Sequence, residues 1–82
     1  MPVSFVVDVT KMNREVKEDL SKYGNIRFEL QTGNAYVLEF IPKGNTSKEI
    51  VQSYENFISE LKNKKYVKKV TECRPISTFS FD

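Results

Sequence analysis

The chain has no histidine, no tryptophan and only one cysteine. Without histidine, the commonest general base near neutral pH is missing. Cys73 has no second cysteine for an internal disulfide and no histidine to activate it, so a disulfide scaffold and a Cys-His nucleophile are both excluded. Its plain reading is a small residue near the end of a strand. Zinc finds no Cys/His cluster, and there is neither a Gly-x-Gly-x-x-Gly run nor a phosphate-binding loop. No apolar run approaches the roughly 20 residues of a membrane span. The first residues show no basic segment followed by a long apolar one, so no secretory signal is expected. These absences leave the expectation of a cytoplasmic, non-enzymatic protein with no metal, no cofactor and no membrane partner.

What is present suits one small globular domain over residues 1–82. Hydrophobic residues make up 39% and charged residues 29% of the chain, an ordinary soluble composition with a modest core. The formal charge of +2 is unevenly spread. Residues 60–74 carry Lys62, Lys64, Lys65, Lys68, Lys69 and Arg74 against Glu60 and Glu72, a local +4, so the remainder is slightly acidic.

The organising stretch is 25–41. Ile26, Phe28 and Leu30 alternate with Arg27, Glu29 and Gln31, the period-2 pattern of a strand with one buried face. Tyr36, Leu38 and Phe40 alternate with Val37, Glu39 and Ile41, and the Gly33-Asn34 pair between the two runs predicts a tight hairpin. Before it, Val3, Phe5, Val7 and Val9 predict a first strand, and Thr10 is placed to cap a helix whose stripe is Met12, Val16, Leu20 and Tyr23. Gly24 is expected to end that helix in the left-handed conformation. After the turn at Pro42-Lys43-Gly44-Asn45, Thr46-x-x-Glu49 has capping-box spacing ahead of a longer helix striped by Ile50, Tyr54, Phe57, Ile58 and Leu61. Residues 66–73 read as a fourth strand, in which Val67 and Val70, three apart, imply a bulge or an entrance residue. Beyond Pro75, residues 76–82 form a β-prone tail with Phe79 and Phe81 in alternation, a possible short fifth strand.

Strand, helix, strand, strand, helix, strand predicts an α+β fold. In its ferredoxin-like βαββαβ form, a four-stranded antiparallel sheet carries both helices on one face. The other face would then be bare, with Ser4, Val6, Asp8, Arg27, Glu29, Gln31, Val37, Glu39 and Ile41. Asp8, Glu29 and Glu39 read there as solvated charges alternating with Arg27. Acylphosphatase shares this topology, but its Gly-rich loop and arginine have no counterpart in Val9-Thr10-Lys11-Met12.

A half-apolar bare face on a small core predicts a homodimer, with Val6, Val37, Ile41, Phe79 and Phe81 at the interface. Phe79 and Phe81 either add a strand to their own sheet or reach over a partner's. An alternative reading is nucleic-acid or acidic-protein binding through Lys62, Lys64, Lys65, Lys68 and Lys69. The bare face offers no aromatic to stack on bases, which counts against RNA recognition.

The segments REVKEDLSKYGNI, ELQTGNAYVLEF and SKEIVQSYENFISELKNKKYVKKVTE resemble the Lrp/AsnC-type effector domain, which also occurs as a stand-alone module. Val16, Leu20, Ile26, Thr32-Gly33, Tyr36, Phe57, Leu61 and Val67 fall at comparable places. The resemblance implies dimers paired sheet to sheet and a small ligand such as an amino acid near Thr32, Gly33, Asn34 and Tyr36 at a subunit interface. The family's Gly-x-Tyr-Asp is one residue longer here and lacks the aspartate, while Gly33 also reads as a simple turn glycine. No helix-turn-helix lies within these 82 residues, so direct transcriptional control is not expected.

Overall fold

The computed structural model describes residues 2–73. Strand β1 (Val3–Val9) leads to helix α1 (Arg14–Leu20), followed by strand β2 (Asn25–Leu30), a 3-10 turn (Gln31–Gly33) and strand β3 (Ala35–Phe40). Helix α2 (Ser47–Lys62) and strand β4 (Val67–Cys73) complete the order. The four strands form one antiparallel sheet in the order β2-β3-β1-β4. The tail beyond Cys73, including the expected fifth strand, lies outside the described residues.

Alternation in β1 and β3 behaves as the sequence predicts. Phe5, Val7 and Val9 join Tyr36 and Leu38 in a single buried cluster with Val16 and Leu20 of α1 and Phe57 and Leu61 of α2. Aromatic rings join its layers: Phe57 stacks on the partly buried Phe40 with ring centroids 4.0 Å apart and meets Phe5 at 5.0 Å. Such offset and tilted ring pairs contribute beyond their buried area.

Strand β2 departs from expectation. Its register runs Ile26↔Leu38 and then Phe28↔Val37, so Arg27 is an extra residue bulged out of the ladder. Everything after it changes side. Ile26 packs on the core, whereas Phe28 (61% exposed) and Leu30 (42%) lie with Val37 and Ala35 on the outer face. Glu29 pairs with Tyr36 and so leaves the outer face, where the unbroken alternation had placed it. The expected irregularity in β4 is present. Asp8 pairs with Lys69 and Val9 with Val67, skipping Lys68, which lets Val67 and Val70 both reach the core.

Helix α1 is capped by Asn13, not Thr10: the Asn13 side chain accepts from the Val16 amide at 2.9 Å, while the Thr10 amide donates to the Tyr66 carbonyl. The helix is therefore short, and Met12 and Tyr23 flank it, still packed on the core. It ends at Ser21 in right-handed geometry, so Gly24 supplies no left-handed turn. Its reason is space, because a Cβ there would meet the Glu39 carbonyl oxygen at 2.5 Å. The hairpin likewise puts its positive φ on Asn34 (φ 50), not on Gly33. Helix α2 has the full capping box, with Thr46 accepting from the Glu49 amide and Glu49 reaching back to the Thr46 amide.

Candidate functional site

The sequence-predicted ligand residues occupy the end of the β2–β3 connection. Left-handed geometry at Asn34 aims its carbonyl at the Val9 amide, a 2.8 Å hydrogen bond that fixes the connection to the end of β1. Thr32 and Gly33 are exposed on the 3-10 turn and line no cleft. Asn34 and Tyr36 do line one, a hollow of ≈ 510 Å³ between this connection and the residues that open α1. Tyr36 is 2% exposed and its hydroxyl donates to the Asn13 carbonyl at 3.5 Å, at the cleft wall.

The charged groups of this cleft are Lys11, Arg14, Lys17 and Glu29. Glu29, turned here by the bulge, accepts from Lys17, with Nζ 2.5 Å from Oε2. That contact holds the Lys17 ammonium above its usual range. Burial first, and the Glu29 charge second, push the Tyr36 phenol up, so it remains a neutral donor. Arg14 is 3.8 Å from Glu18 and largely in solvent at the rim of the cleft. Sequence reasoning missed Glu29, Lys11, Arg14 and Lys17. Only the one-residue shift in β2 brings Glu29 to α1, and nothing local in the sequence announces it.

The outer face is the second candidate. Register places three rows across it: Leu30, Ala35, Asp8 and Lys69; then Phe28, Val37, Val6 and Thr71; then Glu39, Ser4 and Cys73. Arg27 reaches Glu39 at 3.4 Å beside the third row, and Ile41, just past the end of β3, is 61% exposed. Of the predicted interface residues, Val6 and Val37 share this face, joined by Phe28 and Leu30, which the unbroken alternation assigned to the core, while Ile41 lies just beyond β3. Phe79 and Phe81 lie outside the described residues. Cys73 is exposed at the edge strand. The carboxylates Asp8, Glu29 and Glu39 are not brought together, and no group of three or more metal-ligating side chains occurs among the described residues.

The lysine-rich segment is divided. Lys62, Lys65, Lys68 and Lys69 are exposed. Lys64 is engaged, 3.1 Å from Asp19 and with its ammonium 5.0 Å from the Tyr23 ring centroid. Asp19 also accepts from the Tyr66 hydroxyl, which ties α1 to the start of β4. The Tyr66 hydrogen bond and Lys64 hold the Asp19 carboxyl below its ordinary 3.8, outweighing its partial burial. A carboxyl depressed on folding stabilises the protein above its unfolded value and loses that contribution as pH falls through its folded value. Melting temperature is therefore expected to fall as pH drops below the ordinary carboxylate value of 3.8, and less steeply in Tyr66→Phe. At neutral pH the same substitution is expected to cost about 1 kcal/mol, the low end for a bond to a charged group because the pair is partly solvated. Equal slopes in the two proteins would contradict this linkage.

A further hollow of ≈ 480 Å³ lies between α2 and the end of β3, floored by Phe40 and Phe57. Two of its polar groups serve local structure: the Glu49 carboxylate completes the capping box by accepting from the Thr46 amide, and the Ser53 hydroxyl accepts from the Lys43 amide. No helix among the described residues is long and apolar enough to cross a membrane. Comparison with protein-family models, with curated proteins and with solved structures finds no match for this chain.

Proposed function

We propose that this chain is a ferredoxin-like, non-enzymatic regulatory or binding module that self-associates and holds a small zwitterionic ligand such as an amino acid. The βαββαβ order and the strand order β2-β3-β1-β4 support the ferredoxin-like reading. One observation carries the ligand: Glu29 and three cations share the cleft beside Asn34 and Tyr36. A zwitterion needs a carboxylate for its ammonium and cations for its carboxylate. Glu29, bound to Lys17 in the free protein, provides the first by exchanging Lys17 for the ligand ammonium, and Lys11 and Arg14 provide the second. The resemblance to the Lrp/AsnC-type domain lacks the motif's aspartate, and Glu29 is the carboxylate this reading offers the ammonium instead.

Thermal denaturation against a panel of amino acids tests this. A true ligand at one hundred times its dissociation constant stabilises by about 2.7 kcal/mol, which for a chain of this size raises the melting temperature by roughly 10–20 °C. Glu29→Gln should abolish the shift. No shift with any member of the panel would contradict the ligand reading.

The exposure of Lys62, Lys65, Lys68 and Lys69 favours a second reading, sequence-independent contact with nucleic acid. It predicts binding at low salt that weakens steeply as salt rises. Absence of low-salt binding to duplex and single strands would end it.

A further inference from the structure

The groups that line the cleft beside Asn34 and Tyr36 are unbalanced in charge. Lys11, Arg14 and Lys17 face a single carboxylate, Glu29, a formal excess of +2. That carboxylate is taken by Lys17, with Nζ 2.5 Å from Oε2 and the two side chains 50% and 35% exposed. Arg14 has its own carboxylate, Glu18, 3.8 Å away and outside the cleft. We propose that the cleft selects an amino acid with an acidic side chain, and that Lys17 is the specificity-determining residue. The inference rests on the zwitterion reading above and adds the chemistry of the ligand's third group.

The exchange that admits the ligand carries the argument. An ammonium that takes Glu29 releases Lys17 into a cleft where Lys11 and Arg14 already serve the α-carboxylate. With a neutral side chain, Lys17 is left to water, so one ion pair is broken for the one made at Glu29. A side-chain carboxylate gives Lys17 a new anion, and every charge of the ligand then meets its opposite. A basic side chain would add a cation to a cleft already in excess and should be rejected. The flexible four-carbon stem of a lysine lets its ammonium turn from one carboxylate to the other.

Room is sufficient, because ≈ 510 Å³ falls within the roughly 300–1,000 Å³ of small-molecule sites. The selectivity is expected to be modest. An ion pair this exposed changes an affinity by up to about fivefold. Salt screens such a pair, so the preference should shrink as ionic strength rises.

Isothermal titration calorimetry of the full chain at low salt tests this with two nearly isosteric pairs, glutamate against glutamine and aspartate against asparagine. In at least one pair the acid should bind about fivefold more tightly than its amide. Free lysine should bind more weakly than either member. Glutarate, which is glutamate without its ammonium, should bind more weakly than glutamate. In Lys17→Met the preference should vanish in a particular way: the amide binds more tightly than to the wild type, because Glu29 no longer has to be taken from a lysine. The wild-type ratios stand on their own should that variant lose its far-ultraviolet circular dichroism.

Equal affinities within both pairs would overturn the proposal and leave the zwitterion reading standing. So would binding confined to amino acids with apolar side chains. A preference for the acid that persists undiminished in folded Lys17→Met would overturn the role of Lys17. Glutarate binding as tightly as glutamate would mean that Glu29 holds no ammonium, which ends the zwitterion reading and this proposal together. Failure of every amino acid to bind would do the same.

Discussion

Phe5→Ala is expected to destabilise the protein by about 3–5 kcal/mol, the cost of removing a fully buried phenylalanine and leaving a cavity. Phe5 is 0% exposed and touches the Phe57 ring, with the Tyr54 ring centroid 6.3 Å away. Its removal therefore strips contacts from the sheet and from α2 together. At roughly 0.05–0.15 kcal/mol per residue, a chain this short has only about 4–12 kcal/mol in total, so the variant should be largely unfolded near the low end of that range. Urea denaturation reads the loss directly as a lower midpoint at similar slope. Val3→Ala, at the half-buried start of β1, is expected to cost about 1 kcal/mol and gives the comparison. Equal midpoints for the two variants would mean that the aromatic cluster is not where stability resides.

The second large effect concerns a glycine. Gly24→Val should cost about 3 kcal/mol, since overpacking against rigid structure costs 1–3 kcal/mol and occasionally more. The clash is with backbone, the Glu39 carbonyl at 2.5 Å from a Cβ, and a strand carbonyl cannot rotate away as a side chain would. Gly33→Ala is the matched control. Nothing lies within 4 Å of its Cβ position and its φ is not positive, so the substitution should be neutral or stabilising by about 0.5 kcal/mol through the unfolded chain. If Gly33→Ala proved the worse of the two, the assignment of the positive φ to Asn34 would be wrong.

The two glycines show how far the sequence could be read. Gly24 and the Gly33-Asn34 pair both carry turn signals, and both do mark ends of elements. The physical reason for each was hidden, because close approach to β3 and the left-handed residue are decided by the tertiary path. The capping box at Thr46 and Glu49 and the irregularity near Val67 and Val70 were legible, each being a local conflict or a local bond with a fixed spacing. The β2 bulge was not. Ile26, Phe28 and Leu30 alternate without a flaw, and a regular strand satisfies that pattern. The slip brings together groups distant in the chain, Glu29 with Lys17 of α1 and Arg27 with Glu39, none of which the local alternation announces. One residue of slip thus moved an aromatic to the outer face and a carboxylate into the cleft. It changed the membership of both candidate sites.

Cys73, Lys64 and Tyr36 illustrate a second limit. All three belong to types with chemical uses, and the structure gives two of them structural neighbours. Lys64 is bound to Asp19, while the Tyr36 hydroxyl is spent on the Asn13 carbonyl. The group the cleft reading depends on most, Glu29, looked like one surface carboxylate among several.

The role suggested for this small domain depends on whether the side of its sheet that carries Phe28, exposed among the described residues, meets a second molecule of the same kind. Isotope-filtered nuclear Overhauser spectroscopy on an equimolar mixture of labelled and unlabelled chains asks this without any substitution. Cross-copy signals from the Phe28 ring to methyl groups of Val6, Val37 or Leu30 are the predicted result. Their absence, with only within-copy signals from Phe28 to Val37, would contradict it.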